Sequence, residues 1–350
     1  MNEKLPVIPS SFVDSEGFPR FGTYEGSLPE VNLHRLAGRY HVSRLRHLVK
    51  NKRWQYVLVA THEVLAMFAI VDLKYAANAF VCVIDLAQKK VVADETCVVA
   101  AGPWAHVNRR PGAGLSAHLR TVTTSFRCAR ADYDERYKVD VQVRRPLSLF
   151  RGGLSWHGHV LAAGGPPPLT VIAPLADGDV NVTQKWGGLL AFGTVRSGGR
   201  NYQLDGGVAG LDYTQGYLPR KTAWRWAFAL GRLPDGTPFS LNLVEGFNDS
   251  VPQTNENALW IGQSLIPLGR ARFEYNPSDL KEEWRMTTDE GAVDVRFRPI
   301  HVHREVRDYQ LIQSKFAQPL GIFDGTVRWK GNTTLIQNMA GVTETQDVLW

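Results

Sequence analysis

The sequence predicts an all-β protein of two β-barrel or sandwich units packed side by side. Three observations predict it. Short β-branched and aromatic runs follow one another from Trp54 onward, turn chemistry separates them, and almost nothing before the last third sustains the 3.6-residue period of a helix. That pattern argues against a β-α-β domain, and against a dinucleotide-binding one in particular. Strands without intervening helices must cover their apolar faces with one another, and 350 residues is long for a single barrel. The boundary is expected near residue 190, with 1–190 forming an N-terminal arm plus the first unit and 191–350 forming the second.

In chain order, residues 1–32 are rich in Pro, Gly and Ser and read as an extended arm that something must hold. A basic stretch between Asn32 and Lys52, carrying Leu36, Tyr40, Leu45 and Leu48, fits one short helix. WQYVLVAT, VLAMFAIVDL, NAFVCVIDL and KVVADETCVVA then read as successive hairpins. In RYKVDVQVRRPLSLFRG, Val139, Val141 and Val143 share one face, and the runs from GLSWHGHVLA to DVNVTQKWGGLLAFGTVRSGG continue the strands. GTVRSGG at Gly193 is echoed by DGTVRWKG at Asp324, as two similar units would produce.

The central stretch runs from Tyr202 to Phe247. Trp224, Trp226, Phe228 and Leu230 share a face at period two, and Asp235-Gly236 turns the chain. On the return Phe239, Leu241 and Leu243 share one face, while Ser240, Asn242 and Val244 take the other. Pattern alone does not say which of those faces is enclosed.

Forty basic against thirty-four acidic residues give a formal charge of +6, which favours no polyanion, so no nucleic-acid partner is expected. The basic cluster from Arg35 to Arg53 reads as ordinary surface charge. Cys82, Cys97 and Cys128 cannot all pair within the chain; Cys82 and Cys97 lie in apolar runs, which suits a reducing, cytoplasmic setting. No run approaches the ~20 apolar residues of a membrane-spanning helix. His157/His159 and His301/His303 are pairs at i, i+2, but no cysteine or carboxylate has diagnostic spacing to either, so no metal is expected.

Polar groups set against tryptophans suit a concave site for an apolar molecule. Asp212 and Tyr213 follow a Gly-rich turn, Glu245 ends the returning strand, and Glu256 stands between Asn255 and Asn257; these four are the candidate catalytic residues. Trp224, Trp226, Asn242, Asn257, His106 and Lys185 are the candidate binding residues. A buried carboxylic acid can donate a proton near neutrality, and indole faces attract a developing cation. Tyr213 and Asn242 would orient a polar end, and Lys185 would serve as a base or carboxylate partner. Each has a plainer reading: Asp212 as a turn acid, the tryptophans as core, His106 as a solvated loop residue, Lys185 as a snorkelling side chain.

The ordered blocks D-Y-x-x-G at Asp212, W-x-W at Trp224, N-L-x-x-G at Asn242 and NENAL at Asn255 resemble the bacterial group described by the domain of unknown function DUF2804. The resemblance extends back to KRWQYVLVATHEVLAMFAIVDLKYA and forward to RFEYNPSDLKEEWRM and GIFDGTV, nearly the whole chain. More distantly, the Gly210–Gly216 block is similar to the D-H-x-W-G block of the AttH-like, carotenoid 1,2-hydratase and kievitone hydratase group, which implies two lipocalin-like domains. Tyr213 and Gln215 stand where those hydratases carry His and Trp, so their His-dependent water addition does not transfer. The expectation is a cofactor-independent lyase/hydratase or isomerase/cyclase working by acid catalysis on an isoprenoid- or polyketide-like molecule. The alternative is a non-catalytic carrier or sensor of a hydrophobic ligand. A homodimer is compatible with either.

Overall fold

The computed structural model describes residues 4–100, 102–144, 153–249, 251–308 and 313–350. The end of the RYKVDVQVRRPLSLFRG run, at 145–152, lies outside them. The chain is all-β, with two antiparallel sheets that curl into lipocalin-like units: one nearly closed barrel and one half-barrel.

Among the described residues the first sheet has fourteen strands, ordered from Lys90–Ala100 through Ala76–Asp85, Val64–Asp72, Asn51–Ala60, Gly207–Tyr217, Val180–Ser197, Leu154–Leu161 and Arg136–Val143 to the short strand Ala105–Val107. That last edge approaches the Val64–Asp72 side. Val107 N donates to Asp72 Oδ2 at 3.4 Å, and Arg53 Nη1 donates to Val107 O at 2.8 Å, so side chains complete the ring where backbone pairing stops. The second sheet has nine strands, with Lys221–Arg232 between Pro238–Glu245 and Asn332–Leu349.

The sheets change at 218–220 rather than near 190. Val180–Ser197 is a single 18-residue strand that continues through the expected boundary, and Gly207–Tyr217 returns to pair with both it and Asn51–Ala60. The two GTVR segments occupy like positions, each ending a long strand before a tight hairpin. Gly193 (φ +117°) and Gly325 (φ +148°) need glycine there, since an added Cβ would lie 2.2 and 2.3 Å from a carbonyl oxygen of the neighbouring strand.

The N-terminal arm is held. Phe12 and Val13 are buried in the barrel core, Gly22–Glu25 pairs with Leu169–Pro174, and Thr23 Oγ1 donates to Asn255 O of the second unit at 2.7 Å. The basic stretch makes a short helix, Arg44–Lys50, whose Leu45 and Leu48 are exposed, whereas Leu36 and Tyr40 are buried ahead of it. Among the described residues no helix is long and apolar enough to cross a membrane.

Three apolar clusters result: one inside the barrel, one inside the half-barrel, and one between the two sheets. The register settles the central hairpin. Phe228 pairs with Asn242 and Trp226 with Val244, so these four face the other sheet, while Leu241 and Leu243 face the half-barrel's own core. The enclosed polar face is the one carrying Ser240 and Asn242.

Candidate functional site between the two sheets

The between-sheet cluster opens into a cavity of about 1100 Å³, including the solvent it meets. Trp54 and Tyr56 come from Asn51–Ala60, Lys185 from Val180–Ser197, and Asp212 from Gly207–Tyr217, all on the first sheet. The second sheet supplies Trp224, Trp226 and Glu344, and a loop supplies Glu256.

Lys185 and Asp212 are cross-strand partners, as are Asp212 and Tyr56, so strand pairing alone aims these groups into one wall. Lys185 Nζ lies 2.7 Å from Asp212 Oδ2 and 3.4 Å from Glu256 Oε2. All three side chains are nearly fully buried. Asp212 also accepts from Trp54 Nε1 at 3.3 Å and from Thr183 and Thr214, each at 3.4 Å. Burial works against the Lys185 charge, but Asp212 and Glu256 outweigh it and hold the amine above its usual range. Burial pushes the Glu256 carboxyl up, against the pull of Lys185. Glu256 Oε1 accepts from Asn248 Nδ2 at 3.0 Å, while Oε2 makes no hydrogen bond beyond its ion pair.

Glu344 faces the same space from the other sheet. It accepts from Trp224 Nε1 at 2.7 Å and from Gln318 Nε2 at 2.7 Å, and Gln318 in turn accepts from the Tyr56 hydroxyl at 3.2 Å. Burial pushes the Glu344 carboxyl up to about 7, against those two hydrogen bonds. The Trp54 and Trp224 rings stack at 6.0 Å and 20°, so one indole from each sheet donates its N–H to a carboxylate of its own sheet.

Five of the ten residues singled out in the sequence line this cavity: Asp212, Glu256, Trp224, Trp226 and Lys185. Asn242 stands just behind the wall, accepting from Trp226 Nε1 at 2.8 Å and donating to Glu256 O at 2.8 Å. Asn257 braces the strand end, accepting from Val244 N at 2.6 Å and donating to Gly269 O at 3.0 Å. The other three lie elsewhere. Tyr213, next to Asp212 on a strand, must point the opposite way; it is in the barrel core, with its hydroxyl on Asn108 O at 2.9 Å. Glu245 follows Val244 by one residue and so faces away from the cavity, accepting from Phe273 N at 3.3 Å. His106 lines a separate hollow near the barrel's closing edge with Asp72 and Lys74, and burial and Lys74 hold its imidazole below the usual value.

Glu344, Trp54 and Tyr56 were not singled out. A signal for Glu344 exists: Ala340, Val342, Glu344, Gln346 and Val348 share one strand face, and a carboxylate interrupting an apolar alternation marks an enclosed acid.

The histidine pairs also gain partners that spacing did not reveal. His157 meets Asp140 at 2.7 Å on an exposed face. His301 Nε2 and His303 Nδ1 each lie 2.6 Å from a different oxygen of Asp94, which belongs to the other sheet. Cys82, Asp94 and His301 bring potential metal ligand atoms within 4.8 Å of one another, although both Asp94 oxygens are engaged by imidazole nitrogens. Burial disfavours the His303 charge, but Asp94 and Glu305 hold the imidazole up to about 9.

The family model described as Domain of unknown function (DUF2804) matches residues 7–350. The chain belongs to the DUF2804 family. No curated protein matches it. Among solved structures, a Nitrosomonas europaea protein assigned as AttH aligns to this DUF2804 chain with a TM-score of 0.52 and 13% identity over 98% of each chain. Kievitone hydratase from Nectria haematococca aligns at 0.48 and 10%, over 99% of this chain and 98% of its own. CghA with Sch210972 aligns at 0.47 and 11%, over 98% and 97%. At such identities the AttH likeness shows the shared two-unit fold and nothing finer.

Proposed function

We propose that this DUF2804 protein is a cofactor-independent lyase, hydratase or isomerase/cyclase that uses acid catalysis on a largely apolar isoprenoid- or polyketide-like molecule held between the sheets. The observation that carries this reading is Glu344, a buried carboxyl on the wall of an aromatic cavity, held only by the neutral donors Trp224 and Gln318 and pushed up to about 7 by burial. Glu344 delivers its proton to an alkene carbon, leaving a carbocation against Trp224 and Trp226, each face worth ~1–2 kcal/mol when desolvated. Asp212, positioned by Lys185, takes a proton from the neighbouring carbon to give an isomer, or from water as it adds to the cation to give an alcohol. The reverse course protonates a hydroxyl and expels water. Solvent then returns the proton from Asp212 to Glu344.

Asp212 is better placed as acceptor than as donor because Lys185 is already bonded to it at 2.7 Å. A pure carrier has no use for a carboxyl pushed up at the cavity wall, and that favours catalysis over carriage. The test incubates the protein with extract of its own cells in deuterated water and follows small molecules by mass spectrometry. One species should convert to an isomer or a hydrated product with one deuterium bound to carbon, or to a dehydrated product with none, and Glu344→Gln should slow this by about 100-fold or more. Recovery of an unchanged ligand with no conversion, or full turnover by Glu344→Gln, overturns the proposal.

A further inference from the structure

We infer that the cavity selects neutral or cationic apolar ligands and rejects anionic ones such as fatty acids. The inference rests on the cavity being the ligand site proposed above, and it adds the charge class of the ligand. Four carboxylates line the space, Asp212, Glu256, Glu305 and Glu344, against a single lysine. Lys185 is already engaged by two of them. Glu305 is held by Asn78 at 3.2 Å and Thr96 at 3.1 Å, with His303 Nε2 at 3.5 Å. Glu344 has only neutral hydrogen-bond donors, Trp224 and Gln318, and no ion pair among the described residues. The lining therefore offers an incoming carboxylate no uncommitted cation, and in a low-dielectric space it would meet net repulsion once Glu344, raised to about 7 by burial, is ionised.

The aromatic walls point the same way. Lys185 Nζ already lies 5.1 Å from the Trp226 ring centre, so one wall of this cavity holds a cation against an indole face. Trp54 and Trp224 each donate their N–H to a carboxylate, which polarises the ring and makes its faces more electron-rich. Indole faces backed by anions hold a fixed cation as they would hold a developing one. Lys52 is the nearest rival. It is buried, its amine lies 4.2 Å and 5.0 Å from the Tyr75 and Trp350 ring centres, and it donates to Val49 O at 2.6 Å. Trp350 lines the cavity, whereas Lys52 does not.

Three probes with the same dodecyl chain decide the matter: dodecyltrimethylammonium, dodecanol and dodecanoate, below their micelle concentrations, titrated against the intact protein by calorimetry about one and a half pH units above the value near 7 at which Glu344 ionises. The trimethylammonium probe is expected to bind at one site per chain, at least about tenfold more tightly than dodecanoate, with dodecanol between them. Glu344→Gln should cut the cation's advantage several-fold and leave dodecanol nearly unchanged, with thermal unfolding confirming that the variant folds. Trp224→Phe, which keeps a ring but loses the N–H donated to Glu344, should weaken the cation in the same sense. Dodecanoate binding as tightly as the cation would overturn the inference and point to Lys52. Cation binding at many sites, indifferent to Glu344→Gln, would overturn it too. Calorimetry reads binding alone, so a protein that prefers the cation here but converts nothing in the extract incubation refutes the catalytic reading and leaves the charge preference standing.

Discussion

Lys185 shows how one side chain fixes the state of its neighbours. Its ammonium is bonded to Asp212 and Glu256 with all three side chains nearly fully buried, so removing it leaves two buried carboxylates facing each other. Lys185→Met should therefore lose about 3–5 kcal/mol in urea unfolding, and adding Asp212→Asn with Glu256→Gln should recover most of that loss. Glu344 presents the opposite case, an acid without a cation. Its carboxyl is raised from the usual 4.5 to about 7, so the folded state holds the proton more tightly than the unfolded one between those values. Stability from this group is full below about 4.5 and falls as pH rises through about 7; Glu344→Gln should flatten that part of the urea-midpoint profile between pH 5 and 8.

The strands carry the alternation that the sequence displays, and one residue of offset decides a role. Asp212 and Val244 face the gap between the sheets, while Tyr213, one step on, faces the barrel core and Glu245, one step on, faces away from the gap toward Phe273 N. Period two is legible in the sequence; which parity is enclosed depends on what a second sheet places opposite. The close approach of the sheets depends on small residues. A Cβ at Gly210 would lie 2.3 Å from the Phe228 ring, across the join. Gly210→Val should cost about 1–3 kcal/mol in thermal or urea unfolding, whereas Gly236→Ala, in an open turn, should act only through its backbone at φ +84°.

At the scale of the molecule the two units are joined by charge as well as by apolar contact. Asp94 from the barrel's edge strand holds His301 and His303 from the half-barrel, and Thr96 and Asn78 hold Glu305. The His303 imidazole is raised from 6.5 to about 9, so its contribution is complete below about 6.5 and is lost as pH rises through about 9. Amide protection factors, which divide out the base-catalysed rise of intrinsic exchange, should fall together in Lys90–Ala100 and Val293–Asp308 over that interval, and Asp94→Asn should lower both at neutral pH. Unchanged protection in either strand would show that apolar packing alone holds the join.

Composition and local pattern by themselves determined that the chain is built of strands, that Trp224, Trp226, Phe228 and Leu230 share one strand face, and where the chain turns at Asp235-Gly236, because these follow from period two and short-range turn chemistry. The tertiary structure alone decided that the barrel runs on to Tyr217, that Glu344 rather than Glu245 reaches the cavity, and that Asp94 meets two histidines more than two hundred residues away. The physical reason is that burial and charge pairing belong to the space between two sheets, and neither sheet's sequence specifies the face that the other will cover.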